Sequence, residues 1–234
     1  MEKLVHFLWR ADDHDEVAHA AALVGEVAPA LVASGAGLCR LEVLTGDTSV
    51  AIPAPTLLLG LGPKLASVVA CWVDCIDDRS PLVAALAAAP WTTVRVDQYL
   101  VTESVPQRRA GARDWPDGTT TPGITHFSWF PQPERLDDDA FFHGWHEVHT
   151  PKTPVLHPRR VEYVRDTVAR VLTPGSPPVR AIVAERFATD EDYADPARLY
   201  GSQEAIEESV VDLPLFADFE SLSCRPLRQT IIKS

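Results

Sequence analysis

Positive charge is scarce in this 234-residue chain: 21 Lys and Arg stand against 33 Asp and Glu, for a net charge of −12. No Lys/Arg run appears, so a phosphate backbone would be repelled, and a nucleic-acid partner is not expected. Long apolar runs are missing as well. None reaches the ~18 uninterrupted residues of a bilayer span, so no membrane partner is expected. The first ten residues, Met1 to Arg10, lack the order of charge, apolar run and small-residue cleavage site that marks a secretory signal. The four cysteines, Cys39, Cys71, Cys75 and Cys224, form no CxxC pair, which argues against a disulfide framework and against zinc-ribbon spacing. Cys71 and Cys75 fall on an expected strand and its exit, where buried free thiols are common. These absences lead to the expectation of a reduced, cytoplasmic protein holding no metal and no cofactor.

What is present is a core-forming composition, 46 % apolar, in a length that suits one large domain or two of about 110 residues. A long-period repeat favours two. Leu4-Val5-His6-Phe7-Leu8-Trp9-Arg10 returns 120 residues later as Ile124-Thr125-His126-Phe127-Ser128-Trp129-Phe130. A second pair follows in the same order: Val68–Val73 resembles Ile182–Phe187, and each precedes an acidic loop. Two matches in register point to a duplicated unit.

Each copy parses alike. The first has strands at 3–10, 37–44, 66–74 and 92–102, a helix at 15–34 ending before Gly35, and a short helix at 81–89. A loop rich in Pro and Gly (Pro53, Pro55, Gly60, Gly62, Pro63) lies between its second and third strands. The second has strands at 124–130, 179–187 and 224–232, helices at 136–148 and 203–211, and an ambiguous stretch at 159–172 whose apolar spacing also fits a helix. Residues 106–123 read as a linker between units 1–105 and 124–234. The order β-α-β-β-α-β is the ferredoxin-like unit, four antiparallel strands with two helices on one face. Its bare face needs a cover, which a second unit supplies. The expected fold is therefore α+β: two ferredoxin-like units packed sheet to sheet as an intrachain barrel.

Candidate chemistry concentrates in residues 141–163, which hold four of the eight histidines: His143, His146, His149 and His157. Imidazole exchanges protons near neutral pH, so such a window suggests acid–base work. The first three are spaced by three on a helix opened by Asp137, Asp138 and Asp139 and expected to stop near Pro151. That spacing fans the rings over roughly one third of the helix circumference, too wide to close on one ion. The His-Glu-x-x-His order is also absent, His146-Glu147-Val148-His149 being one residue short. His143 and His157 are expected at the surface.

The second half resembles the EthD-like branch of the dimeric α/β-barrel superfamily. The resemblance rests on Phe142-x-x-Trp145-x-x-x-His149-x-Pro151, on Tyr163, on Glu185-x-Phe187 before an acidic loop, and on the Asp- and Phe-rich approach Asp212–Glu220 to the last strand. It covers residues 124–232. Thr150 stands where the family usually has a smaller residue, and nothing in 11–40 repeats the histidine motif. The resemblance implies small, mostly cofactor-free reactions: polyketide cyclisation, ring dehydration, lactone isomerisation or oxygenation of electron-rich aromatics. In some branches it implies haem held by a histidine.

The expected site follows. His149 serves as general acid/base, His146 orients it or shares its proton, and Tyr163 donates to an enolate oxygen. Glu185 interrupts an apolar strand and must be paired if buried, with a histidine or Arg159 as partner. His126 and Ser128 share a strand face too polar for core, and so line a cavity; the bulkier face with Phe127 and Trp129 is expected against helices. His6, the counterpart of His126, joins them, and Trp145 and Phe142 wall the pocket. The expected function is a cofactor-independent enzyme that cyclises, dehydrates or isomerises a small hydrophobic oxygenated substrate. Two other readings stay open: a haem protein with His149 or His126 as axial ligand, and a non-catalytic accessory or binding module. A homodimer also stays open.

Overall fold

The computed structural model describes residues 1–10, 15–47, 49–50, 65–89 and 93–234, so the expected Pro- and Gly-rich loop lies outside the described residues. Eight strands carry the fold: β1 (Glu2–Arg10), β2 (Leu38–Gly46), β3 (Leu65–Val73), β4 (Thr93–Gln107), β5 (Ile124–Phe130), β6 (Arg160–Val171), β7 (Ala181–Phe187) and β8 (Ser223–Lys233). All neighbours are antiparallel, and the sheet closes in the order β1-β3-β2-β8-β5-β7-β6-β4. Strands β1–β4 and β5–β8 each form a four-stranded sheet ordered fourth, first, third, second. The edges of the two sheets pair with one another, β2 with β8 and β4 with β6. Two ferredoxin-like units thus share one barrel, and closure leaves no edge strand open.

The repeated His-Phe-x-Trp strands explain why the sheets meet. Phe7 and Trp9 of β1 and Phe127 and Trp129 of β5 all point into the lumen. Phe7 lies 5.6 Å from both Phe127 and Trp129, and Trp9 lies 6.1 Å from Trp129, ring centre to ring centre. Edge-to-face contacts of this kind each add about 0.5–1.5 kcal/mol to the gain from burial. The bulky face expected against helices therefore fills the barrel instead. A lumen bounded by two sheets is the drier side, and the larger rings go there.

Stretch 159–172 is a strand. Its misleading spacing arises from irregularities in its pairing: Arg160 and Glu162 oppose Phe187 and Arg186, and Arg170 and Val168 oppose Leu100 and Val101. Each adds a residue to one strand and resets the alternation of faces.

Helices cover the outside. In the first unit α1 runs from Glu16 to Ala33, capped by Asp15, whose carboxylate accepts from Val17 and Ala18. Its length and mean hydropathy of 1.4 are those of a membrane-crossing segment. However, Leu23, Val27 and Leu31 pack with α2 (Ser80–Ala87) on Leu4, Leu8 and Cys71 of the sheet.

In the second unit α3 passes from Asp138–Phe142 through a π turn, His143–His149, into Thr150–Leu156. The expected stop near Pro151 does not occur. The Thr150 N–H bonds the Trp145 carbonyl five residues back, and its hydroxyl donates to the same oxygen at 2.8 Å. The widened turn moves aside the carbonyl that the Pro151 ring would strike, and the helix continues. Short helices α4 (Asp190–Ala194) and α5 (Pro196–Leu199) lead to α6 (Gln203–Asp212), which passes into a 3₁₀ turn, Leu213–Leu215.

That turn packs against α3 at Gly144, where an added Cβ would stand 2.3 Å from the Leu215 carbonyl oxygen. Gly144→Ala is expected to destabilise by about 1–3 kcal/mol despite alanine's better helix propensity, because backbone must move. Thermal or denaturant unfolding measures it, and equal or greater stability would contradict this packing.

Candidate active site

Between the β5–β8 sheet and its helices lies a cavity of about 120 Å³. Alternate residues of β5, His126, Ser128 and Phe130, form part of its floor, with Val183 and Glu185 from β7 and Tyr163 from β6. Helix α3 supplies Trp145 and His149 one π turn apart, and His157 follows at its end. The far wall comes from α5, α6 and the approach to β8: Leu199, Tyr200, Val210, Leu213, Phe216 and Phe219 among them.

His149 sits over the Phe216 ring, 4.8 Å between centres, and its Nδ1 faces Oδ2 of Asp212 at 3.7 Å. Both atoms are buried and without a hydrogen-bond partner. The gap is longer than a hydrogen bond, and a shift of under 1 Å closes it. The other Asp212 oxygen accepts from Lys152 Nζ at 2.9 Å, which fixes the carboxylate. A carboxylate facing Nδ1 favours the Nδ1–H tautomer and leaves the Nε2 lone pair as the base. Burial lowers the His149 pKa to about 4, with His157 and Arg160 acting the same way against the upward pull of Glu185 and Asp212. At neutral pH the ring is an unprotonated base.

Arg160 carries the buried charge of the site. Its guanidinium donates to Glu185, to Thr153 Oγ1 at 2.7 Å and to Gln107 Oε1 at 3.0 Å, and it lies 4.2 Å over the Tyr163 ring. Burial alone would raise the Glu185 carboxyl, but His157, Arg160 and His126 hold it at about 2. His126 donates to or accepts from the Tyr193 hydroxyl at 3.2 Å, and burial lowers its pKa to about 4. His157 is lowered by burial too, with Nδ1 3.3 Å from the Leu199 carbonyl. Burial raises Tyr163, so its hydroxyl stays protonated.

The structure brings together His149, Glu185, Tyr163, His126, Trp145 and Ser128 from the expected set. It separates four others. Arg159 is exposed, and Arg160 takes its place because the bulge at the start of β6 puts residue 160, not 159, on the face of Tyr163. His6 lies in the other unit, buried, with Nδ1 3.1 Å from the Val69 carbonyl. His146 packs beside the cavity against Trp145 and Phe142, at 4.6 and 5.1 Å. Phe142 lies outside it, under the Arg180 guanidinium. His143 is exposed as expected, pairing with Glu147. His157, expected at the surface, lines the cavity. Asp212 and Arg160 join the site from outside the expected set. The Asp212–Glu220 stretch was a signal for the first, whereas no alternation rule shows a bulge in advance.

Among the described residues no three His, Cys, Asp or Glu side chains converge as a metal ion requires. In volume the cavity is of the order of engineered cavities of about 150 Å³ that hold a single benzene ring.

No protein-family model and no curated protein matches the chain. Solved structures do. An anthrone oxidase-like protein superposes with a TM-score of 0.64 at 10 % identity, over 100 % of this chain and 94 % of its own. A monooxygenase candidate from Lactobacillus acidophilus NCFM gives 0.52 at 10 % identity, over 99 % and 96 %. A mutant chlorite dismutase from Candidatus Nitrospira defluvii gives 0.53 at 10 % identity, over 98 % and 91 %. The chain has the dimeric α/β-barrel fold. Both barrel halves are thus present in one polypeptide, and the cavity lies outside the barrel wall, under the helices of the second half.

Removing Arg160 would strand Glu185 in that wall. Arg160→Met is expected to cost about 3–5 kcal/mol, the cost of breaking a buried ion pair from one side, and the double change Arg160→Met/Glu185→Leu to recover much of it. Denaturant unfolding of the three proteins checks this.

Proposed function

We propose that the cavity is the active site of a cofactor-independent, EthD-like enzyme that removes a proton from a small, hydrophobic, enolisable ring compound. The observation that carries the reading is the His149–Asp212 pair: an unprotonated imidazole at a largely apolar cavity, with a fixed carboxylate behind its Nδ1. His149 Nε2 takes a proton from carbon next to a carbonyl, or from a phenolic hydroxyl. The imidazolium formed is stabilised by Asp212, and the electron pair moves onto the substrate oxygen. The Tyr163 hydroxyl, kept protonated by burial, is the donor available to that oxygen. Returning the proton to a different atom completes an isomerisation, and loss of a hydroxide as water completes a dehydration. Attack of the enolate carbon on a second carbonyl closes a ring.

The single-ring size of the cavity sets the enclosed part of the substrate, and Val210 and Leu213 on the α6 side offer an apolar wall for the remainder. The names of the neighbours, oxidase and monooxygenase, belong to reactions that also begin well from an electron-rich enolate. Oxygen uptake on adding an enolisable substrate would shift the reading from lyase or isomerase to oxygenase while keeping the same first step.

Deuterium exchange from heavy water into the α-carbons of cyclohexanone and 2-tetralone, followed by NMR, tests the shared step. The wild-type protein is expected to accelerate exchange, His149→Ala to lower that acceleration by about 10²–10⁴, and Asp212→Asn to lower it less. Acceleration that survives His149→Ala would sink the proposal. The pH profile gives an independent check. Activity needs the unprotonated ring, so kcat/KM is expected to hold down to mildly acidic pH and fall through about 4, not 6.5. Glu185, His157, Asp212 and Arg160 are the groups that set this limb. Asp212→Asn removes an upward pull and is expected to move it lower.

A further inference from the structure

A larger cavity lies elsewhere. Inside the barrel, beyond the aromatic layer, lies a second cavity of about 290 Å³, separated from the first by the barrel wall. An eight-stranded barrel is just wide enough for side chains to fill its interior, or to hold one small ligand. One end of this barrel is filled by Phe7, Trp9, Tyr99, Phe127 and Trp129. The other end is open and polar, lined by charges of both signs.

Three of the four lining acids, Glu103, Glu162 and Asp166, stand on the adjacent strands β4 and β6, and the fourth, Glu42, on β2. Lys3 of β1 bridges Glu103 and Asp166 at 2.6 and 2.7 Å, with its ammonium 4.7 Å from the Trp72 ring centre. Across the lumen a relay runs from Arg40 through Glu42 and Gln229 to Arg186, with Gln229 Nε2 donating to Glu42 at 2.8 Å. Three lining groups remain incomplete. Asp166 Oδ1, Arg186 Nε and Thr125 Oγ1 are buried, with residues 5 %, 3 % and 1 % exposed, and have no hydrogen-bond partner. Arg186 Nε stands 3.7 Å from the Glu162 carboxylate, beyond hydrogen-bond reach. Leaving such groups bare costs about 1–3 kcal/mol each, and more where they are charged. The orphans are of opposite kinds: an anionic acceptor on β6, and a cationic donor on β7 beside a hydroxyl on β5.

We propose that the barrel lumen is a second binding site, for a small zwitterion of the amino-carboxylate type. Its ammonium pairs with Asp166 on the acidic side, and its carboxylate takes the Arg186 and Thr125 donors. The volume is close to the lower end of ordinary ligand pockets, about 300 Å³, and suits a molecule of amino-acid size. The site shares no lining residue with the His149 cavity, so it stands whether or not His149 is catalytic.

Isothermal titration and thermal melting with glycine, β-alanine and 4-aminobutyrate test it, with butyrate and butylamine as single-charge controls. At least one zwitterion is expected to bind saturably and raise the melting temperature, and each control to bind at least tenfold more weakly. Asp166→Asn and Arg186→Gln are each expected to weaken binding tenfold or more. His149→Ala is expected to bind as wild type. Ala184→Leu, which adds only apolar bulk to the lumen wall, is expected to abolish binding in a folded protein, and it decides the matter if the charge variants do not fold. Absence of saturable zwitterion binding would overturn the proposal. So would controls that bind equally well, or binding that persists in Ala184→Leu.

Discussion

A four-stranded sheet has two edges whose backbone groups need partners, and everything else in this molecule depends on how those edges are closed. Each half pairs its edges with the other half, β2 with β8 and β4 with β6, so the hydrogen-bond ladder runs unbroken round the barrel. Closure fixes the inside and the outside of every strand. Side chains at one parity meet in the lumen, and those at the other parity meet the helices. The aromatic contact between β1 and β5 joins the two sheets, with Phe7 edge-to-face on Phe127 and Trp129.

With parity fixed, the two halves diverge in what they do with the helix side. In the first half, Leu4, Leu8, Leu23 and Leu31 close the space, and His6 is absorbed by a backbone carbonyl. In the second half, the matching position holds His126 in the wall of a cavity, and the π turn of α3 carries His149 over it. The Arg160–Glu185 pair then sets the electrostatics. It places a full negative and a full positive charge beside three imidazoles that burial keeps neutral. The polar groups of the lumen obey the same constraint from the other side of the wall, since their strands deliver them inward in alternation.

Much of this was legible in the chain. The strand order and the polar face of His126 and Ser128 are local or periodic properties, and they survive in the structure. His149 and Trp145 both line the cavity. What misled was whatever breaks a period. The π turn carries α3 past Pro151, and the bulge at Arg160 exchanges one arginine for the next. Whether a bulky face meets a helix or another sheet depends on a partner more than a hundred residues away.

Residue order alone determined the sequence of strands and helices in each half and which window gathers the histidines, because those properties repeat over a few residues of backbone. Tertiary structure decided that Asp212 stands behind His149, that Arg160 rather than Arg159 neutralises Glu185, and that the two Phe-x-Trp pairs face each other. Each of these joins elements distant in the chain or depends on a one-residue change of register. Spacing along a strand cannot encode either, since its period is two and a single inserted residue inverts it.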